Sequence, residues 1–161
     1  MRKAPLAIGV AAMLLTLWAG TSAHADTGST DMQDRIDAVL QEQPGGTQIA
    51  WNEVSWNDGD VVLTLASAST SQGVTTFAAV GGCTSGKFCA YNQTGYRGDK
   101  ITYSTCTSSQ SVSALVGPVR SIANSRTSGT IRAYAGSTLL ATATAGTGAN
   151  VTGTTTNITC G

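Results

Sequence analysis

Residues 83–98 read Cys83-Thr-Ser-Gly-Lys-Phe-Cys89-Ala-Tyr91-Asn-Gln-Thr-Gly-Tyr96-Arg-Gly98. Two cysteines six positions apart bracket a small loop, and a strand-like run at 88–91 follows. After it come an aromatic, four residues, an aromatic, one residue and a glycine: Tyr91, Tyr96, Gly98. That spacing describes a hairpin folded over on itself. The two rings cover its corner, and a glycine serves where the backbone needs a positive φ.

The run resembles the Greek-key signature of βγ-crystallin-type domains. With the cysteine loop in front, it is similar to the secreted Streptomyces metalloproteinase-inhibitor family. Residues 119–124, Val-Arg-Ser-Ile-Ala-Asn, followed by a strand-like 130–134, fit the same pattern. The resemblance extends over residues 83–134 and weakly to 161. It implies a βγ-crystallin-like Greek-key sandwich in which Ser121 hydrogen-bonds across the folded hairpin. Tyr134 serves as first aromatic of a second, degenerate key. Leu139 stands where its second aromatic should be and Ala141 where its glycine should be.

The first residues read as an address. Arg2 and Lys3 precede an apolar run over 6–18, and Ala23-His24-Ala25 is a small-x-small cleavage site. A signal peptide over 1–25 is expected, with a mature chain from Asp26. The apolar run is too short to serve comfortably as a membrane anchor. Export to an oxidising compartment makes disulfides the default for Cys83, Cys89, Cys106 and Cys160. Four cysteines allow three connectivities. The pairing adopted is Cys83–Cys89 with Cys106–Cys160, the short loop being what the resemblance implies. A zinc site fits poorly, because the spacing is wrong and histidine is missing.

Histidine is missing because His24, the only one, leaves with the signal peptide. The mature chain then has no imidazole for a general base, a triad or a metal. With both bridges formed there is no free thiol nucleophile. Glu42, Glu53, Asp58, Asp60 and Asp99 fall in no recognisable carboxylate-pair motif. They read as solvated or capping residues, so an enzyme is not expected.

Charge is unevenly spread. Eight acids and one base, Arg35, lie between residues 26 and 60; six bases and one acid, Asp99, follow residue 83. An acidic segment docking on a basic module is one reading, and simple solubility is the other. The bases are too sparse and unclustered for nucleic acid.

Residues 30–43 read as a helix. Thr30 and Gln33 form a capping-box pattern, Met32, Ile36, Val39 and Leu40 share a face, and Pro44-Gly45-Gly46 stops it. A strand is expected over 49–56, a turn at Asn57-Asp58-Gly59-Asp60, and a return strand over 61–65. Trp51 and Trp56 are expected to fill space between hairpin and helix; stacking on sugars is the other use. Residues 66–82 read as a linker with one short strand near 74–80. From 83 on, strands are expected at 88–91, 100–104, 121–124, 130–134 and 139–144, with a loop or strand edge over 145–156. The fold class is therefore mainly β. A signal peptide (1–25), a helix and β-hairpin segment (26–65) and a linker (66–82) precede a βγ-crystallin-like inhibitor-type domain (83–161).

Many βγ-crystallin domains bind calcium, but residues 117–121, Gly-Pro-Val-Arg-Ser, offer no acidic side chain and place an arginine at the site. No metal or cofactor is expected. Asn92, Asn150 and Asn157 open sequons that a Thr-rich chain with a bacterial-looking export signal produces by chance.

The expected function is a secreted peptidase inhibitor, most simply of a metallopeptidase, acting by a disulfide-held substrate-like loop. The partner is an extracellular peptidase, with no nucleic acid and, once the signal is removed, no membrane. In the best-understood relative the reactive bond follows a cysteine soon after the strand matching 130–134. Residues 135–144 contain no cysteine here, so that bond does not carry over. The loop at Cys106, Thr107 and Ser108 becomes the leading contact, because it follows a strand and carries the presumed bridge to Cys160. Leu139-Leu140 reads as buried strand. The alternative function is a non-inhibitory envelope-associated module that binds cell-wall glycan or acts as an antimicrobial toxin-like protein.

Overall fold

A computed structural model describes residues 27–67 and 79–161. The signal peptide expected over 1–25, and the strand expected near 74–80 up to residue 78, lie outside the described residues. The fold is mainly β, with two antiparallel sheets and one helix.

Helix α1 spans Thr27–Glu42. Met32, Ile36 and Val39, at i, i+4 and i+7, are buried, so the apolar stripe of the sequence is the face that packs. The expected capping box does not start it, because the helix begins three residues earlier. Gln33 instead turns along the helix to donate to Asp37 Oδ1 (2.9 Å) and to exchange amide bonds with Gln48 at 3.1 Å. At the other end Gly45 takes φ +89°. The Trp56 ring lies so close over Gly46 that a Cβ there would approach it to 2.7 Å. Its Nε1 donates to the Gln43 carbonyl at 3.2 Å. Trp56 thus fills the space between helix and strand.

The single strand expected over 49–56 is two. Strands β1 (Thr47–Ala50) and β2 (Glu53–Trp56) pair across a tight turn at Trp51-Asn52, with Ala50 opposite Glu53. Neither turn residue needs a positive φ, so no glycine or proline marked it. Trp51 therefore stands at the tip and is 58% exposed. Strand β3 (Val61–Thr64) returns after the expected turn at 57–60.

Strand β3 also pairs with β5 (Arg97–Tyr103), which pairs with β4 (Phe88–Gln93). The N-terminal meander therefore continues the main sheet. Its order is β1-β2-β3-β5-β4-β6-β9, with β6 at Ser121–Asn124 and β9 at Thr147–Asn150. The second sheet is β10-β7-β8, formed by Asn157–Cys160, Thr130–Ala135 and Thr138–Thr144. One core cluster joins α1 to both sheets, including Ile36, Leu63, Phe88, Ile101, Ile122, Ile131 and Ile158. Strand β4 is buried on both faces: Phe88 and Ala90 enter this core, whereas Cys89 and Tyr91 enter a second cluster with Cys83 and Ala123. That is why its run of four buried residues does not alternate.

In the second sheet β8 is an edge strand, so Leu139 is 51% exposed and Leu140 only half-buried, unlike the buried pair expected. The tail does contain an edge strand, β9. Strand β10 was not anticipated; it buries Ile158 and Cys160 on alternate positions.

Candidate functional site

The folded hairpin is built from the residues whose spacing announced it. Tyr91 is fully buried and meets Tyr96 edge-on, with ring centroids 5.9 Å apart. The Tyr91 hydroxyl donates to the Gly81 carbonyl at 2.9 Å. Burial first, and then the neighbouring Tyr96 charge, hold its phenol well above the usual range. Tyr96 adopts φ +62°, rare for a side chain of this bulk. Ser121, fully buried on β6, holds it there. Its Oγ accepts from the Tyr96 N–H (3.0 Å) and donates to the Gln93 carbonyl (2.7 Å). Gly98 takes φ +76°, and a Cβ on it would collide with Asn92 Oδ1.

Asn92 is occupied there. Its Oδ1 accepts from the Asp99 N–H at 2.8 Å, and its Nδ2 donates to Asp99 Oδ2 (3.0 Å) and to the Val116 carbonyl (2.9 Å). Asn150 Oδ1 accepts from the Gly95 N–H at 2.9 Å. Asn157 Oδ1 accepts from Thr156 Oγ1 at 3.3 Å, so all three sequon asparagines have a partner within the chain.

Asp99, 5% exposed, also receives Arg35 Nη2 and the Ala66 N–H, each at 2.8 Å. Arg35 donates through its other terminal nitrogen to the Ala66 carbonyl at 2.8 Å. Docking by opposite charge thus occurs with the signs exchanged. The single base of the acidic segment meets the single acid of the basic module. The charge count pointed at a contact but not at these two residues.

The structure pairs Cys83 with Cys89 and Cys106 with Cys160, at Cα–Cα distances of 5.7 and 5.1 Å. The disulfide of the short ring is buried beneath the Tyr91 face of β4, while residues 84–86 of the ring are exposed. The ring is tied to the end of β6 through Gly86 N–H to the Ser125 carbonyl and Ser125 N–H to the Lys87 carbonyl, at 2.8 and 3.0 Å.

The second ring carries the loop at Cys106, Thr107 and Ser108. Residues 105–109 are all exposed. Ahead of them, Ser104 N–H donates to the Asp60 carbonyl at 2.8 Å, so the N-terminal meander supports the entry to the loop. Within the loop, the Thr107 carbonyl accepts from the Cys160 N–H at 2.9 Å, and Thr107 Oγ1 donates to the Ser109 carbonyl at 2.9 Å. Gln110 closes it with a backbone bridge to Ile158 on β10. Beyond, the Tyr103 hydroxyl donates to the Ser111 carbonyl at 2.6 Å. The loop is held on both sides, not at one end. Sequence reasoning missed Gln110, because a glutamine among serines reads as solvated.

In residues 117–121, Gly117 takes φ +92°, Val119 and Ser121 are buried and Arg120 is exposed. Among the described residues no three His, Cys, Asp or Glu side chains gather as a metal site would require.

The model of peptidase inhibitor family I36 matches residues 77–154, which hold the folded hairpin, the short ring, the loop at Cys106 and strands β4 to β9. Nothing among curated proteins or solved structures matches the chain significantly. Helix α1, strands β1 to β3, β10 and Cys160 lie outside the matched residues. Residues 77–154 thus form a module that matches peptidase inhibitor family I36, the Streptomyces metalloproteinase inhibitor family.

Proposed function

We propose that this protein is a secreted inhibitor of an extracellular metallopeptidase and that it presents Cys106, Thr107 and Ser108 to the enzyme cleft as a substrate-like loop. The observation that carries this reading is an exposed run, residues 105–109, held between the Cys106–Cys160 bridge and the Gln110–Ile158 backbone pair. Fixing a flexible backbone costs about 1–2 kcal/mol per residue. A loop of five residues ordered before it meets the enzyme avoids roughly 5–10 kcal/mol of that cost at binding. Its side chains are small and uncharged, so a cleft takes them without desolvating a charge. The match of residues 77–154 to an inhibitor family agrees with a role that needs no catalytic group.

The test is a titration of the protein against secreted metallopeptidases and serine peptidases. Stoichiometric loss of metallopeptidase activity is expected. Replacing Thr107 and Ser108 by proline is expected to abolish it while leaving the melting curve nearly unchanged, because neither backbone N–H has a backbone partner in the fold. Inhibition retained in that variant would move the contact elsewhere, first to residues 135–144 on edge strand β8.

A second reading rests on Trp51. With Ile49 it forms an exposed apolar tip, 58% and 55% exposed. An envelope-binding module would use that tip, and retention on cell wall would then be lost in Trp51→Ala.

A further inference from the structure

Gln110 is 9% exposed, although it lies in a Ser/Thr-rich surface loop where a glutamine is ordinarily solvated. A buried amide has to be hydrogen-bonded to be tolerated. Its N–H donates to the Ile158 carbonyl at 2.7 Å, and its carbonyl accepts from the Ile158 N–H at 3.2 Å. Its side chain does something different. Nε2 reaches back over the loop and donates to the Thr105 carbonyl at 3.0 Å. One residue thereby ties the last position of the loop to β10 and to the first position of the loop. The Cys106–Cys160 bridge and the Cys160–Thr107 backbone bond hold the near side. Between these anchors only Ser108 and Ser109 lack any tie beyond the Thr107 hydroxyl.

We infer that Gln110 is a positioning residue: its side-chain amide closes the base of the 105–109 loop and keeps residues 106–108 in one presented shape. The inference rests on the reading that this loop meets the peptidase, and it adds what makes the loop rigid. A peptide that enters a cleft and stays there uncut needs ends that do not drift apart. Gln110 supplies the cross-loop tie for which Thr105 has no other side-chain partner among the contacts described.

Two variants of the full chain test it. Gln110→Glu keeps the size, removes the donor and sets a carboxylate against the Thr105 carbonyl. Gln110→Leu removes the donor without adding charge. Both leave the backbone pair with Ile158 in place. Two read-outs need no knowledge of the target. One is the rate at which a broad-specificity peptidase nicks the chain between Cys106 and Gln110, resolved by mass after reduction. The other is the exchange protection of the Cys160 amide, which donates to the Thr107 carbonyl. Losing one such bond opens the loop about ten-fold more often, so nicking at pH 7 speeds up and Cys160 protection falls by about that factor in both variants.

In Gln110→Glu alone, protection recovers below about pH 4, where the protonated carboxyl again offers a donor to the Thr105 carbonyl. A residue that merely filled space would show no such pH profile. Unchanged nicking and exchange in both variants, or loosening in Gln110→Glu that acid does not reverse, overturns the inference. Loosening with an unchanged inhibition constant leaves the tie standing and refutes instead the reading that residues 106–108 contact the peptidase.

Discussion

Removing the Cys106–Cys160 bridge by Cys106→Ala with Cys160→Ala should be the most damaging change at the proposed site. The bridge spans a sequence separation of 54. In the chain-entropy relation, a ring of that size withholds roughly 14 cal/mol/K from the unfolded ensemble, or about 4 kcal/mol at 25 °C. Typical domains are stable by only about 5–15 kcal/mol, so the variant keeps a modest remainder. Cys106 is exposed and Cys160 7% exposed, so the packing loss is small and entropy dominates. The same relation assigns about 2 kcal/mol to the Cys83–Cys89 ring, whose separation is 6, before counting the cavity left by two fully buried sulfurs. Denaturant unfolding followed by far-UV circular dichroism measures both. A midpoint loss equivalent to about 4 kcal/mol is expected for the long ring, together with faster nicking of residues 106–110. A loss below about 1 kcal/mol would refute the argument that this ring constrains the unfolded chain.

Other outcomes follow from single contacts. Ser121→Ala orphans the Tyr96 N–H while that residue is held at positive φ, and should cost about 2 kcal/mol, or roughly 6–10 °C in Tm; Ser113→Ala, at an exposed hydroxyl, should stay within about 0.5 kcal/mol. Asp99→Ala leaves Arg35, the Ala66 N–H and Asn92 without their shared acceptor and should cost about 3 kcal/mol, with α1 becoming the first region to lose amide protection. Burial raises the Tyr91 and Tyr103 phenols above their ordinary value of 10.0. The folded state therefore binds more protons than the unfolded state above pH 10, and stability is full below that pH and falls as pH rises beyond it. Tyr103→Phe should flatten the decline in an alkaline denaturation series. Lys100, held below its usual pKa by burial against the opposing pull of Glu53, contributes the reverse slope just below pH 10.5.

How much was legible in the sequence differs between the two halves. Tyr91, Tyr96, Gly98 and the cysteine flanks have a local cause, a corner that rings cover and a backbone that needs positive φ. Local causes leave spacing in the sequence. The same holds for β6 and β7, whose residues are mostly buried in a row or in alternation. The Trp51-Asn52 turn left no mark, because both residues keep ordinary φ, and so two strands read as one. The exposure of Leu139 depends on β8 lying at a sheet edge, a property of topology that no local pattern carries. The Gln110–Ile158 and Arg35–Asp99 pairs join residues far apart in the chain, so the partner in each case is set by the fold and not by local spacing.

The most direct measurement of the central claim is a tight-binding titration of the protein, with its disulfides formed, against a purified secreted metallopeptidase from the extracellular panel. Residual activity should fall linearly with added protein and reach zero near one equivalent. It should do so without net loss of intact protein over many enzyme turnovers, and Thr107→Pro with Ser108→Pro should abolish the effect. Full activity of every metallopeptidase at several equivalents, in material whose melting curve shows it folded, would contradict the account.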